Sequence, residues 1–281
     1  MTTLHKIETG NLKLDGGAMF GVVPKTIWQK IYPADENNLS NWAMRCLLYD
    51  NGFRKVLIDT GMGTKQDAKF FSHYYPNGEA TLESSLKKSG FEPNDITDVI
   101  LTHLHFDHCG GAVKYSENET LVPAFPKAVY HVSRTHWNLA TSPNRREKAS
   151  FLTENFLPLA EYGVLNLIES EGELLPGIDI RIFDGHTVGQ IIPIIQHRQK
   201  KIAFCGDLFP STAHIPMPYI MGYDTQPLLT LADKERFFKE AVEKNIVLFF
   251  EHDTYNECCS VIKTEKGIKV DKTFSLDEFL R

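Results

Sequence analysis

The sequence predicts an α/β (α+β) protein whose mixed β-sheets are covered by helices. Three observations carry that expectation. Short apolar runs of strand length alternate with segments of helical spacing, and an Asn-Gly turn joins two of those runs. A chain of 281 residues, 42% of them hydrophobic, is also large enough to bury a sizeable core without staples. No short-period repeat and no low-complexity linker breaks the chain, so residues 1–281 are expected to form a single domain.

The first clear strands are residues 44–49 and 55–59, joined through Asp50-Asn51-Gly52. Residues 81–89 have helical spacing and stop at Gly90. Residues 98–102 form a short apolar strand that runs into a histidine-rich motif. The second half repeats the alternation, with strands at 128–132, 178–183, 191–197 and 201–205. A helix is expected over 231–244, with Phe237, Phe238 and Ala241 on one face. The strand 246–250 follows, then a hairpin near Lys266-Gly267. Residues 210–227 hold Pro216, Met217, Pro218, Tyr219 and Tyr223, too irregular for a core element; they read as a loop over the site.

Composition narrows the function. A formal net charge of −6 with no lysine or arginine run argues against a nucleic-acid partner. No apolar run approaches the ~20 residues that a membrane-crossing helix needs, and residues 1–10 lack the pattern of a secretory signal. Five cysteines, Cys46, Cys109, Cys205, Cys258 and Cys259, lack framework spacing and read as reduced, buried thiols of a cytoplasmic protein.

The chemistry lies in His103-Leu104-His105-Phe106-Asp107-His108. Alternation along an extended chain points His103 and His105 to one side, and Asp107 continues that parity. A turn at His108 swings its imidazole round, and Gly110 and Gly111 let the backbone bend behind the ligands. Three imidazoles and a carboxylate within six residues suit zinc and similar divalent ions. His186, Asp207 and His252 each follow a predicted strand, where further ligands belong. Asp59, at the end of a strand, is expected to receive the second N–H of a ligand histidine.

In its six-residue motif, followed in order by a histidine, an aspartate and a histidine, the chain resembles the metallo-β-lactamase superfamily, from about Asp15 onward. That resemblance implies a four-layer αββα sandwich of two mixed sheets flanked by helices, and two divalent metal ions, zinc first, with manganese, iron or cobalt as alternatives. It places His103, His105 and His186 on one ion and Asp107, His108 and His252 on the other, with Asp207 bridging both. Asp107 and Asp207 would then be catalytic, around a hydroxide bridging the two metals.

Within the superfamily, zinc β-lactamases carry cysteine where Asp207 stands, and flavodiiron members carry glutamate where His105 stands. Glyoxalase II ends in a helical region, whereas the tail after Glu257 reads as a hairpin. The segment 15–25 is similar to the amino-terminal signature of the N-acyl homoserine lactonase and methyl parathion hydrolase-like branch. One departure is Pro210, where well-known lactonases have tyrosine. The expected activity is cleavage of a small ester, lactone or organophosphate-like substrate. The alternatives are a phosphodiesterase or nuclease, a glyoxalase II-like thioesterase, and a non-catalytic metal-binding protein. Met19, Phe20, Phe106 and His214 are the expected substrate-binding residues. A small-molecule partner, no membrane and a homodimer complete the expectation.

Overall fold

In the computed structural model, which describes residues 2–281, the strands are β1 (Thr3–Asp15), β2 (Leu39–Asp50), β3 (Lys55–Ile58), β4 (Asp98–Ile100), β5 (Val113–Tyr115), β6 (Leu121–Pro123), β7 (Val129–Ser133) and β8 (Leu165–Ile168). They continue as β9 (Gly172–Leu175), β10 (Ile178–Phe183), β11 (Gln190–His197), β12 (Lys200–Phe204), β13 (Ile246–Phe249), β14 (Cys258–Thr264) and β15 (Gly267–Phe274). One sheet has the order β1-β2-β3-β4-β7-β8 and the other β15-β14-β13-β12-β11-β10-β9; β5 and β6 pair apart. Both sheets are mixed, with helices flanking them, as predicted. In the first, β3, β4, β7 and β8 run parallel while β2 is antiparallel to β3. In the second, only the β12–β13 pairing is parallel.

The chain divides into two compact units. One comprises the residues up to Asn11 with Met44–Ser170, the other Leu12–Ala43 with Glu171–Arg281. In the first unit, Leu57, Val99, Leu101, Tyr130, Val132 and Phe156 anchor the core. In the second, Phe183, Ile192, Ile194, Phe237, Phe238, Leu248 and Phe250 do so. Burying one such side chain fully contributes about 1.5–3 kcal/mol, so each cluster far outweighs any single surface contact. The central strands β3 and β4 are nearly all buried, which is why they read as continuous apolar runs rather than alternating ones.

Most predicted elements stand within a residue or two of their expected bounds. The helix expected over 81–89 is Leu82–Lys88, with Thr81 as its N-cap in a capping box with Ser84. Two differences bear on the site. The strand expected over 98–102 ends at Ile100, because the next free N–H groups are taken by side chains: Thr102 N donates to Asp59 (2.7 Å) and Leu104 N to His136 Nε2 (2.8 Å). The helix expected over 231–244 runs from Pro227 to Glu243. Proline at its first turn is pre-set for a helix start, and the added residues 227–230 leave Leu228 and Leu229 exposed and bury only Thr230, so no apolar period marked them. The five cysteines are free and buried. Among the described residues no helix is long and apolar enough to cross a membrane.

Candidate functional site

The histidine motif lies in the first unit. His105 caps a short helix, Phe106–Cys109, and its carbonyl accepts the N–H groups of His108 and Cys109, both at 3.1 Å. That helix, not a continued strand, places Asp107 and His108. The rings of His103 and His105 lie 4.5 Å apart and those of His103 and His108 3.9 Å apart, while His108 Nε2 is 3.8 Å from Asp107 Oδ2. His103 and His108 are fully buried, His105 and Asp107 almost so.

Asp59 sets the chemistry of this half. Its Oδ1 accepts Thr102 N at 2.7 Å, and its Oδ2 accepts Thr102 Oγ1 at 2.6 Å and faces His108 Nδ1 at 3.1 Å. Thr102 has one hydroxyl proton, already committed to Asp59. Its oxygen therefore accepts from His103 Nδ1, 3.1 Å away. The network thus assigns Nδ1–H to both His103 and His108 and leaves the Nε2 lone pair of each for a metal. Asp59 holds a left-handed backbone at φ 57°, and Gly61 and Gly63 follow at φ 68° and 69°. This strained turn lies directly against the histidine loop: Thr60 N donates to the His108 carbonyl (2.8 Å) and Gly111 N to that of Gly61 (3.0 Å).

Several neighbours steady the loop. Lys65 Nζ donates to the Gly110 carbonyl, and burial lowers its pKa to about 8. Cys109 Sγ faces the Leu104 carbonyl at 3.3 Å, and burial pushes the thiol up to about 12, so it packs and does not react. His105 rests on Phe151 and lies 3.7 Å from Glu147 Oε1. Phe106 packs against Phe70 and Tyr74.

His186, Asp207 and His252 lie in the second unit. His186 Nδ1 is 2.8 Å from Asp224 Oδ1, and its Nε2 is 3.2 Å from Asp207 Oδ2. His252 Nδ1 donates to the Ala43 carbonyl at 2.7 Å, and its Nε2 is 3.0 Å from Asp207 Oδ1. With both Nδ1 protons committed, a neutral imidazole at either position directs a lone pair at a carboxylate oxygen. Acceptor then faces acceptor, an arrangement that a divalent ion or a proton held between them relieves. The donor set of buried imidazoles and one carboxylate fits a divalent ion there.

The expected substrate-binding residues of this unit lie in its interior. Met19, Phe20 and His214 are each at most 1% exposed. Phe20 is stacked between Trp28 (5.1 Å) and His214 (4.7 Å). His214 Nε2 donates to the Met19 carbonyl (2.8 Å) and its Nδ1 faces Ser211 Oγ (2.8 Å). Burial lowers its pKa to about 3, so the imidazole stays neutral.

Sequence reasoning did not find Asp224, which lies in a proline- and aromatic-rich loop with no periodicity. Nor does the sequence point to His136, although the Nε2 of that fully buried residue receives Leu104 N inside the motif. Neither position carries a local signal; each is defined by a partner distant in sequence.

Known proteins resemble this chain in sequence and fold. The sequence profile of the metallo-β-lactamase superfamily matches residues 45–245. An N-acyl homoserine lactonase of Bacillus cereus is 24% identical over 246 residues, covering 83% of this chain and 87% of that protein. The N-acyl homoserine lactonase AiiB of Agrobacterium fabrum is 25% identical over 230 residues, covering 79% of each. Among solved structures, a Staphylococcus aureus protein described as a probable metal-dependent hydrolase superposes with a TM-score of 0.88 at 30% identity, over 97% of this chain and 96% of that one. AidC, a dizinc quorum-quenching lactonase in complex with a product, shares the fold at a TM-score of 0.79 and 21% identity, over 98% of this chain and 95% of that one. With the profile spanning residues 45–245, the chain belongs to the metallo-β-lactamase superfamily.

Proposed function

We propose that this protein is a dinuclear metal-dependent hydrolase of small esters or lactones. On the superfamily's pattern, His103, His105 and His186 would hold one ion, and Asp107, His108 and His252 the other, with Asp207 shared. The observation that carries the reading is Asp207, whose two carboxylate oxygens each face a histidine Nε2, at 3.2 Å and 3.0 Å, while both Nδ1 positions are engaged elsewhere. Divalent ions held there would lower the pKa of water to about 7 and polarise a carbonyl oxygen.

The chain's own residues do the rest. Asp59 and Thr102 fix the tautomers of His108 and His103, and Asp224 and the Ala43 carbonyl orient His186 and His252. These contacts pre-set the ligand geometry before any substrate arrives, so that little reorganisation is needed later. Asp107, 3.8 Å from His108 Nε2, would orient the attacking water. Two lactonase relatives at 24% and 25% identity support the ester or lactone class.

The test joins metal content to turnover. Metal-replete protein is assayed on lactones, aryl esters, phosphotriesters and phosphodiesters. About two ions per chain with lactone or ester cleavage is the expected result. Two ions with phosphodiester cleavage alone would overturn the substrate class, and no bound ion after reconstitution would overturn the reading itself.

A further inference from the structure

The Pro227–Glu243 helix contains a lysine that is 1% exposed. An ammonium group in that position costs several kcal/mol unless it is fully coordinated. Lys234 Nζ is coordinated by main-chain carbonyls: His214 at 2.7 Å, Tyr219 at 2.9 Å, Pro216 at 3.0 Å and Met217 at 3.4 Å. All four belong to the irregular segment between Pro210 and Pro227. Its carbonyls have no strand ladder to join, and the buried one of His214 in particular requires a donor. The ammonium takes the place that a bound cation would have in a coordinating loop.

The segment so gathered leads to Asp224, the partner of His186 Nδ1 at 2.8 Å. The neighbouring helix residue holds the other flank of the same histidine. Asp233 Oδ2 accepts Asp184 N (3.1 Å) and Gly185 N (2.8 Å), and Thr225 N donates to the His186 carbonyl (3.0 Å). Consecutive helix positions point ~100° apart, so one turn of helix can grip two different loops.

We propose that Lys234 is a positioning residue whose ammonium, caged by the carbonyls of His214, Pro216, Met217 and Tyr219, holds the 212–224 segment in place and through Asp224 orients His186. The cage stands independently of any activity; its consequence for His186 rests on the hydrolase reading.

Two variants and one wild-type measurement test it, all on the metal-free full-length chain. In Lys234→Ala, hydrogen exchange of the 212–224 amides is expected to rise tenfold or more while β10 to β13 stay protected. Adding n-propylammonium should restore protection, whereas n-propanol should not. Lys234→Met, which keeps the volume and removes only the donors, should show the same loss without rescue. In both variants the ring ¹⁵N signals of His186 should lose the single tautomer that Asp224 imposes. Wild-type-like exchange in either folded variant would overturn the proposal, as would equal rescue by propanol. Where neither variant folds, the wild type decides. At pH 6 one lysine Nζ ammonium should be visible with protons protected from solvent exchange, and its absence would overturn the cage. Loss of lactone turnover with an intact cage would count against the hydrolase reading and leave the cage standing.

Discussion

Asp59→Asn changes one oxygen to an amide nitrogen in a pocket with no exposed surface, and its effect follows from proton counting. The Oδ2 side faces Thr102 Oγ1 at 2.6 Å and His108 Nδ1 at 3.1 Å, and the Oδ1 side faces Thr102 N at 2.7 Å. An amide cannot turn its NH₂ toward Thr102 N, where donor would meet donor, so the NH₂ must take the Oδ2 side. There it donates to His108 Nδ1, which forces that proton onto Nε2. Thr102 Oγ1 is released from Asp59 and free to donate to His103 Nδ1, 3.1 Å away, with the same result.

Two ligand nitrogens are then protonated where a metal needs lone pairs. Reversing this breaks two buried hydrogen bonds at about 1–2 kcal/mol each. A total near 3 kcal/mol corresponds to roughly a 100-fold loss of metal affinity. The assay is competition for zinc against a chromogenic chelator on metal-free protein, with ¹⁵N histidine spectra reporting the tautomers. A folded Asp59→Asn protein that binds zinc within twofold of the wild type would refute the tautomer argument.

Three further predictions follow from the same geometry. Asp224→Asn should weaken zinc binding about 10-fold while leaving the fold intact, because His186 loses a carboxylate partner at 2.8 Å; equal affinity by the same chelator competition would contradict it. Gly110→Ala should cost about 2–3 kcal/mol or fail to fold, since its Cβ would lie 1.9 Å from the Met62 carbonyl oxygen, and urea unfolding measures this directly. Glu240 is held by both Arg181 Nε (2.9 Å) and Nη2 (2.6 Å), and that pairing lowers its pKa from 4.5 to about 2. Because the folded value is depressed, the stabilisation is fully present above pH 4.5 and disappears as the pH falls toward 2. It amounts to on the order of 2 kcal/mol after allowance for solvent screening. Glu240→Gln should therefore flatten the acid limb of the stability curve between those values.

The fold was legible wherever a local pattern was tied to burial. Apolar runs at β3, β10, β11 and β13 and the capped Leu82–Lys88 helix declared themselves. The first turn of the Pro227–Glu243 helix, residues 227–230, did not, because Leu228 and Leu229 stand exposed there and only the polar Thr230 is buried. The long β1 strand was missed as well, since its mostly half-exposed residues show no clean alternation. The histidine motif was readable because a rare residue combination is compressed into six positions, the pattern that metal coordination favours. The residues that orient them, Thr102, His136 and Asp224, are ordinary side chains whose roles exist only once the chain has folded.

The aromatic stack around Phe20 has a consequence for synthesis on the ribosome. Phe20, Trp28, Tyr32 and Trp42 leave the exit tunnel early, yet Phe20 and Trp42 pack on His214, and Tyr32 on Tyr255. The hydrogen bond between Met19 and His214 spans 195 residues of chain. At about 5–20 residues per second, that segment waits roughly 10–40 s before its partners are translated. During that interval these aromatic side chains lack the partners that bury them in the folded chain. Slower translation lengthens that interval, so the yield of folded chain is expected to fall as translation of the stretch up to His214 and Tyr255 is slowed.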